Sequence, residues 1–149
     1  MEIERKFLVD SDTWENYPKP HPELIMQGYL VNSPEITVRL RTKGDSGYLT
    51  IKGATKGISR EEFEYKIPAN DVGEMIKLFQ SQVLTKRRYT MVYENKTWEI
   101  DVFEENLRGL ILAEIELTSE DEKFTLPPFI KEEVSLNPQY YNSNLIQRC

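Results

Sequence analysis

The chain has 149 residues, and its 25 acidic and 19 basic side chains give a formal net charge of −6. This length predicts one domain, residues 1–149, and the negative charge argues against non-specific binding to nucleic acids or anionic membranes. A single cysteine, Cys149, excludes a disulfide framework, and the lack of a signal peptide or a long apolar segment leads us to expect a cytoplasmic protein.

Alternation of apolar and polar residues dominates the chain and predicts β-strands separated by turn signals. The segments GDSG at 44–47 and ENK at 94–96 are typical of hairpin turns. The predicted strands are EIERKFLV (2–9), LIMQGYLV (24–31), ITVRLRTK (36–43), GYLTIKG (47–53), SREEFEYKI (59–67), KRRYTMVYE (86–94), TWEIDVF (97–103) and LILAEIEL (110–117).

Helical signals are fewer. The connection DSDTWENYPKPHP after the first strand predicts a short capped helical turn. Asn70 is the expected N-cap of one longer helix, with Val72, Ile76 and Phe79 on its apolar face. Two further short helices are expected in TSEDEKFTLPP and QYYNSNLIQ, packed at one end of the sheet.

Short strands with hairpin-length connections favour an antiparallel sheet. Eight such strands can close into a barrel whose interior holds side chains or one small ligand. We therefore expect a mainly β (α+β) fold, an eight-stranded antiparallel closed barrel with a few helices outside and at one end.

Charged side chains recur at alternate positions of nearly every strand. For any one strand considered alone, the simplest interpretation is that these charged side chains lie on the solvated outer face of an ordinary sheet. Like charges two residues apart bring no stability, however, which favours the interpretation that helices cover the apolar face and the charges point inward. The apolar alternates are Leu49, Ile51, Phe63, Tyr65, Ile67, Trp98, Ile100, Val102, Ala113, Ile115 and Leu117.

A lumen filled with charge predicts a charged ligand, because buried ion pairs seldom stabilise a protein better than apolar packing does. Arg and Lys bind phosphate oxygens, and clustered carboxylates hold hard cations such as Mg²⁺ or Mn²⁺. The pattern therefore predicts a polyphosphate with a divalent metal. The inward set is Lys6, Arg39, Arg41, Lys52, Arg60, Lys86, Arg88, Glu2, Glu4, Glu62, Glu64, Glu99, Asp101, Glu114 and Glu116.

Eight motifs in order resemble the CYTH superfamily, also called triphosphate tunnel metalloenzymes. They are EIERK (2–6), QGYL (27–30), VRLR (38–41), LTIK (49–52), REEFE (60–64), KRR (86–88), WEIDVF (98–103) and AEIEL (113–117). The resemblance covers residues 2 to about 145 and implies a tunnel in which a triphosphate is hydrolysed or rearranged with Mg²⁺ or Mn²⁺.

By motif, the resemblance implies metal ligands at Glu2, Glu4 and Glu116, supported by Glu62, Glu64 and Glu114. It implies phosphate contacts at Lys6, Arg39, Arg41, Lys52, Arg60, Lys86 and Arg88. We expect a metal-bound or carboxylate-oriented water to attack. Its proton acceptor is a carboxylate, with Glu2 and Glu4 as the candidates, or the metal hydroxide itself, and Lys86 is expected to assist the leaving phosphate.

Among family activities, we expect hydrolysis of inorganic tripolyphosphate to pyrophosphate and phosphate, because few long loops remain to recognise an organic group. Adenylate cyclase, thiamine or nucleoside triphosphatase, and a non-catalytic polyphosphate sensor stay open. RNA triphosphatase is disfavoured because no basic outer patch is apparent, and a homodimer is compatible with the sequence. His21 is expected to be a bystander, and Tyr140, in NPQYYN, is expected to close the tunnel mouth.

Overall fold

The computed structural model describes all 149 residues of the chain. They form ten strands and three short helices. The helices are α1 (Ser11–Glu15), α2 (Ala69–Leu78) and α3 (Asn142–Leu145), with 3₁₀ turns at Glu105–Leu107, Pro138–Tyr140 and Ile146–Arg148. The strands are β1 (Glu2–Val9), β2 (Glu23–Asn32), β3 (Ile36–Lys43), β4 (Ser46–Gly53), β5 (Ser59–Arg60), β6 (Glu62–Ile67), β7 (Leu84–Tyr93), β8 (Lys96–Phe103), β9 (Ile111–Glu116) and β10 (Ile130–Glu133). None of the helices has the length and apolar character needed to cross a membrane.

The strands form one antiparallel sheet in the order β10-β1-β9-β8-β7-β2-β3-β4-β6, and β5 pairs separately with β1. Both predicted hairpin turns are confirmed. At the second, Glu94 and Asn95 have φ of 47° and 65°, which suits the tight two-residue turn that joins β7 to β8. The mainly β, antiparallel architecture is therefore confirmed.

The expectation of eight strands in a closed barrel is not confirmed, because the hydrogen-bonded path is open between β6 and β1. The predicted strand 59–67 is divided at Glu61: Arg60 pairs with Glu2 of β1, whereas Glu62 pairs with Lys52 of β4. The segment 59–67 therefore pairs first with β1 and then with β4, and its hydrogen-bonded ladder is interrupted where the partner strand changes. The tenth strand, β10, was not predicted and pairs with β1.

The covered part of the outer face lies over β1, β8 and β9. Trp98 and Ile100 are fully buried there, beneath Trp14 of α1 and Phe129 of the segment before β10. The rings of Trp14 and Phe129 meet edge to face at 5.0 Å. The prediction of continuous cover was wrong for β6, where Phe63 and Tyr65 are 57% and 54% exposed, because α2 packs against β3 and β4 instead.

Three helical predictions had different outcomes. The capped turn after β1 is confirmed, since Asp10 accepts a hydrogen bond from the Thr13 amide at the start of α1. For α2 the cap was wrong: Pro68 occupies the N-cap, Asn70 lies inside the helix, and Phe79 is 58% exposed. The helix predicted in 118–128 is absent, because the Glu122 side chain binds the Thr118 amide and hydroxyl instead.

The C-terminal short helices are confirmed and close one end of the sheet. Leu145 and Ile146 pack with Leu84, Phe103 and Leu112 in a second apolar cluster. This packing places the start of α3 against the interior of the sheet rather than on its outer surface.

Candidate functional site

The inner face of the curved sheet collects the charged side chains that alternate along the strands. Cross-strand partners lie on one face of a sheet, and the register places Glu4 opposite Glu116 and Lys6 opposite Glu114. Across the lumen-facing side of β4, Lys52 stands opposite Glu62. The charged face predicted from alternation therefore exists as one continuous inner surface.

Two openings lead to this inner surface, and both are lined by Glu2, Glu4, Arg39 and Lys52. The first also includes Lys6, Arg60 and several uncharged polar groups. The second is lined by no hydrophobic residue and comprises about 820 Å³, open solvent included. The two openings share these four side chains and together offer space for an elongated, highly charged ligand along the inner surface.

Thirteen of the fifteen predicted inward residues line one of these openings. The other two, Lys86 and Asp101, lie behind the lumen wall with 0% and 2% exposure. The predicted roles of these residues in catalysis, metal binding and substrate binding remain predictions. Those lining the openings are Glu2, Glu4, Lys6, Arg39, Arg41, Lys52, Arg60, Glu62, Glu64, Arg88, Glu99, Glu114 and Glu116.

A buried cluster of Lys86, Asp101 and Arg88 forms the wall behind the lumen. Lys86 Nζ lies 2.6 Å from Asp101 Oδ2, and Arg88 donates two hydrogen bonds to the same carboxylate at 2.8 and 2.9 Å. Burial, reinforced by Arg88, lowers the pKa of Lys86 to about 8 despite Asp101. Burial alone would raise the pKa of Asp101, but Lys86 and Arg88 outweigh it and hold that pKa below its usual range.

Lys6 joins the inner surface to the C-terminal segment. Its ammonium group lies 3.5 Å from Glu114 Oε1 and donates a hydrogen bond to the Tyr140 carbonyl at 3.0 Å. Burial opposes ionisation of Glu114, but Lys6, Arg88 and Lys86 outweigh burial and lower its pKa to about 2. Glu114 is therefore held as a carboxylate by the lumen cations.

The arginines of β3 face the lumen with unused donors. Arg41 and Arg39 lie 3.3 and 3.7 Å from Glu64 Oε1, which also accepts a hydrogen bond from Thr50. The Nε atoms of Arg39 and Arg41 are nevertheless buried without any hydrogen-bond acceptor. Burial, together with Arg39 and Arg88, lowers the pKa of Arg41 to about 10. An unsatisfied buried guanidinium pair is a suitable site for an anion.

The carboxylates do not form a ready-made metal cage, because no group of three or more His, Cys, Asp or Glu side chains is gathered closely enough to hold a metal. Glu2 is instead bound to Lys52 at 3.0 Å. Burial, then Glu114 and Glu2, raises the pKa of Glu4 well above its usual value. Burial, then Glu2 and Glu99, likewise raises the pKa of Glu116.

This donor set fits a hard divalent cation even so. Carboxylate oxygens are the ligands that Mg²⁺ and Mn²⁺ prefer, and neighbouring acids with raised pKa values gain stability when a cation neutralises them. Glu4 and Glu116 are directly opposite each other on paired strands, and Glu2 lies on the same face. Glu2, Glu4 and Glu116 are therefore the residues that would hold the ion.

Gln27, Tyr29 and Asn142 are among the lumen residues that were not predicted as site residues. Gln27 donates a hydrogen bond to the Tyr29 hydroxyl at 3.2 Å, and its own Oε1 is buried without a partner. The register could have revealed both, because Gln27 lies opposite Arg41 and Tyr29 opposite Arg39. Asn142 approaches Lys86 Nζ at 3.3 Å, a contact that no local sequence signal announces.

The end of the chain, rather than the Tyr140 ring specifically, lies at the first opening. Tyr141, Asn142 and Ser143 line that opening, whereas Tyr140 contributes its carbonyl to Lys6. Asn142, which follows the two tyrosines, places its uncharged side-chain amide against Lys86. His21 lines neither opening.

Comparisons with known proteins find similarity over nearly the whole chain. The CYTH domain model matches residues 1–149. An inorganic triphosphatase of Acetivibrio thermocellus is 42% identical over 147 residues, covering 98% of this chain and 93% of that protein. An inorganic triphosphatase of Nitrosomonas europaea is 34% identical over 150 residues, covering 97% and 95%. A crystal structure of an inorganic triphosphatase superimposes with a TM-score of 0.68 at 33% identity, covering 98% and 94% of the two chains.

Proposed function

The chain belongs to the CYTH domain family, and from that premise we propose that it hydrolyses inorganic tripolyphosphate to pyrophosphate and phosphate on its charged inner surface. Full-length similarity to two proteins named inorganic triphosphatase supports the reaction class. The second opening, which is lined without hydrophobic residues, suits a substrate made only of phosphate groups.

The observation that carries the proposal is the pair of unsatisfied donors on Arg39 and Arg41. Their Nε–H groups are buried in the lumen wall without acceptors, which costs free energy unless a ligand supplies oxygens. Phosphate oxygens are the natural partners, because the planar guanidinium binds them in a bidentate manner. Of the remaining predicted phosphate contacts, Lys6, Lys52 and Arg60 line the first opening with Arg39, and Arg88 lines the second with both arginines.

A divalent cation completes the charge balance of the proposed site. Glu2, Glu4 and Glu116 would hold it, supported by Glu62, Glu64 and Glu114, and either Mg²⁺ or Mn²⁺ suits these oxygens. When bound, such an ion supplies Lewis-acid neutralisation of the phosphate oxygens. The ion also accounts for carboxylates lining a channel that receives a polyanion.

The protein side chains would perform the remaining steps. Glu2 and Glu4 orient a water in line with the terminal phosphorus and accept its proton, while the lumen cations stabilise charge on the transferring group. As the bridging P–O bond to the terminal phosphorus breaks, Lys86 stabilises the charge on the leaving pyrophosphate, which requires its contact with Asn142 to be exchanged for a phosphate oxygen. Asp101 keeps Lys86 oriented during that exchange.

The test is phosphate release from tripolyphosphate, ATP, thiamine triphosphate and pyrophosphate, each with Mg²⁺ or Mn²⁺. We expect tripolyphosphate to be hydrolysed fastest, since the lumen offers charges but little for an organic group. Cyclic AMP formed from ATP at a comparable rate would identify an adenylate cyclase instead. Tight binding of tripolyphosphate without any turnover would identify a sensor.

Nucleoside triphosphate hydrolysis is the second candidate, favoured by a groove beside the first opening. The groove shares Thr37, Thr55, Arg60 and Ser143 with that opening and contains about 1250 Å³, open solvent included. Asn144 also lines it and could bind a base or sugar. In this case Asn144→Ala should raise the KM for ATP while leaving that for tripolyphosphate unchanged.

A further inference from the structure

The free edge of β6 is a surface that the proposed hydrolysis does not use. β6 ends the hydrogen-bonded path and pairs only with β4. The ladder of β1 reaches β5 at the pair Glu2 and Arg60, and no strand continues alongside Glu62–Ile67. An unpaired strand edge is a template for another strand.

The backbone groups that face this edge follow from the ladder with β4. The Gly53 amide donates a hydrogen bond to the Glu61 carbonyl at 3.0 Å. Bonded pairs alternate along an antiparallel ladder, so Phe63, Tyr65 and Ile67 direct their backbone groups to β4. The backbone groups of residues 62, 64 and 66 therefore point to the free edge.

The outer side chains along β6 are apolar and exposed. Phe63 and Tyr65 are 57% and 54% exposed and stand opposite Ile51 and Leu49 of β4. The other terminal strand, β10, differs: it has only four residues, and Lys131, Glu132 and Glu133 are exposed. Its charges and its short length disfavour pairing of the free edge of β10 with another chain, whereas β6 has a row of apolar side chains at its edge.

We propose that β6 pairs antiparallel with β6 of a second copy of this chain, in a register in which the twofold axis passes between the two Tyr65 residues. This register sets Tyr65 opposite Tyr65, and Phe63 opposite Ile67 on the same outer face. It sets Glu64 opposite Lys66 twice, which makes the strand complementary to itself in charge. The edge-facing groups of residues 64 and 66 then exchange four backbone hydrogen bonds.

Neighbouring registers are less favourable. Opposed residues of an antiparallel pair share a face, so an inner residue must oppose an inner residue. A twofold axis at Glu64 sets two carboxylates directly against each other, and an axis at Phe63 sets Glu62 opposite Glu64. Both place like charges across the new ladder, which destabilises it.

A second copy is favoured over a segment of another protein because the strand supplies its own complement. Dimerisation through this edge leaves both lumens intact, since the contact extends the sheet sideways. The interface is limited to one strand and the apolar row beside it, so we expect a reversible dimer whose population rises with protein concentration.

Sedimentation velocity over a range of protein concentrations tests the surface. We expect the unaltered chain to shift from monomer to dimer as concentration rises, and Tyr65→Glu to remain monomeric. Met26→Glu is the matched control, because Met26 is 40% exposed in a strand paired on both sides, opposite Thr42 and Thr85. A monomer at every concentration, a dimer unaffected by Tyr65→Glu, or equal loss in Met26→Glu would overturn the proposal.

Cysteine cross-linking tests the register. In a Cys149→Ser background, Tyr65→Cys should give a disulfide-linked dimer under mild oxidation, because the two positions meet at the twofold axis. Phe63→Cys should not, since its opposing residue is Ile67. Equal cross-linking of both variants, or of neither, contradicts this register.

Phosphate release separates this proposal from the proposed function. Tyr65 points away from the lumen, so Tyr65→Glu should hydrolyse tripolyphosphate at the unaltered rate while failing to dimerise. Loss of turnover in this monomeric, folded variant would show that the edge is part of the active unit rather than an independent interface. Circular dichroism and thermal midpoint establish that the variant is folded.

Discussion

The ammonium group of Lys86 lies 2.6 Å from Asp101 Oδ2, and the two side chains are 0% and 2% exposed. Arg88 binds the other oxygen of the same carboxylate at 2.8 Å. One buried carboxylate thus neutralises two cations in the wall behind the lumen. Removing it leaves the buried Lys86 without an ion-pair partner and leaves Arg88 with Glu99 alone.

Replacement of Asp101 should therefore be costly. We expect Asp101→Asn to lower the free energy of unfolding by about 3 to 5 kcal/mol, because breaking a buried ion pair exposes its full desolvation cost. Glu104→Gln is the matched control: it removes the exposed pair with Arg87 and should cost less than about 1 kcal/mol. Denaturant unfolding of both variants at neutral pH measures the difference, and equal losses would contradict the prediction.

Glu4→Gln should separate catalysis from stability. The substitution keeps the shape but removes the charge that a divalent cation needs, so turnover should fall by orders of magnitude. The metal-free thermal midpoint should not fall, because burial, then Glu114 and Glu2, already raises the pKa of Glu4 and disfavours its charge. Near-normal turnover in this variant would show that the charged surface is not the catalytic one.

Lys6→Ala should act on substrate binding first. Loss of a phosphate contact predicts a higher KM for tripolyphosphate, while metal affinity stays nearly unchanged. The variant also frees Glu114 and the Tyr140 carbonyl, so the thermal midpoint should fall as well. Steady-state kinetics with titration of Mn²⁺ distinguishes these effects. An unchanged KM for tripolyphosphate would contradict the assignment of Lys6 as a phosphate contact.

Removal of divalent cations should abolish turnover. Excess EDTA is expected to stop phosphate release, and Mg²⁺ or Mn²⁺ added beyond the chelator should restore it. Ca²⁺ should inhibit, since its longer and more variable coordination misplaces the attacking water. Full activity in EDTA would exclude a divalent cation from the reaction.

Cation binding should strengthen as pH rises. The folded pKa values of Glu4, Glu62 and Glu116 are raised above 4.5, first by burial. In the metal-free protein these groups favour folding below pH 4.5, and that contribution is lost as pH rises through the folded pKa values. A bound cation needs the deprotonated forms, so Mn²⁺ should raise the thermal midpoint more at about pH 8 than at about pH 5.

Differential scanning calorimetry with and without Mn²⁺ at the two pH values measures this effect. Glu116→Gln serves as the comparison, because it lacks one of the titrating groups and should show a smaller difference. The same midpoint shift at both pH values would mean that these carboxylates do not bind the ion.

Alternation along the strands was sufficient to predict which side chains share the inner face. Glu2, Glu4 and Lys6 are two residues apart, and the period-two geometry of a strand places them together wherever that strand lies. The hairpin at Glu94 and Asn95 is also local, because the turn conformation depends on those residues themselves. Motif order likewise identified the family before any tertiary contact was known.

Partners distant in the chain decided the rest. The interruption at Glu61 arises because one segment pairs with β1 and then with β4, and no local pattern encodes a change of partner. Trp98 and Phe63 have similar alternation, yet one is buried beneath Trp14 and Phe129 and the other is 57% exposed. Whether a side chain on the outer face is buried depends on where helices and loops pack against the sheet, which is a non-local property. The burial of Lys86 and its contact with Asn142, 56 residues away, follow from the same packing.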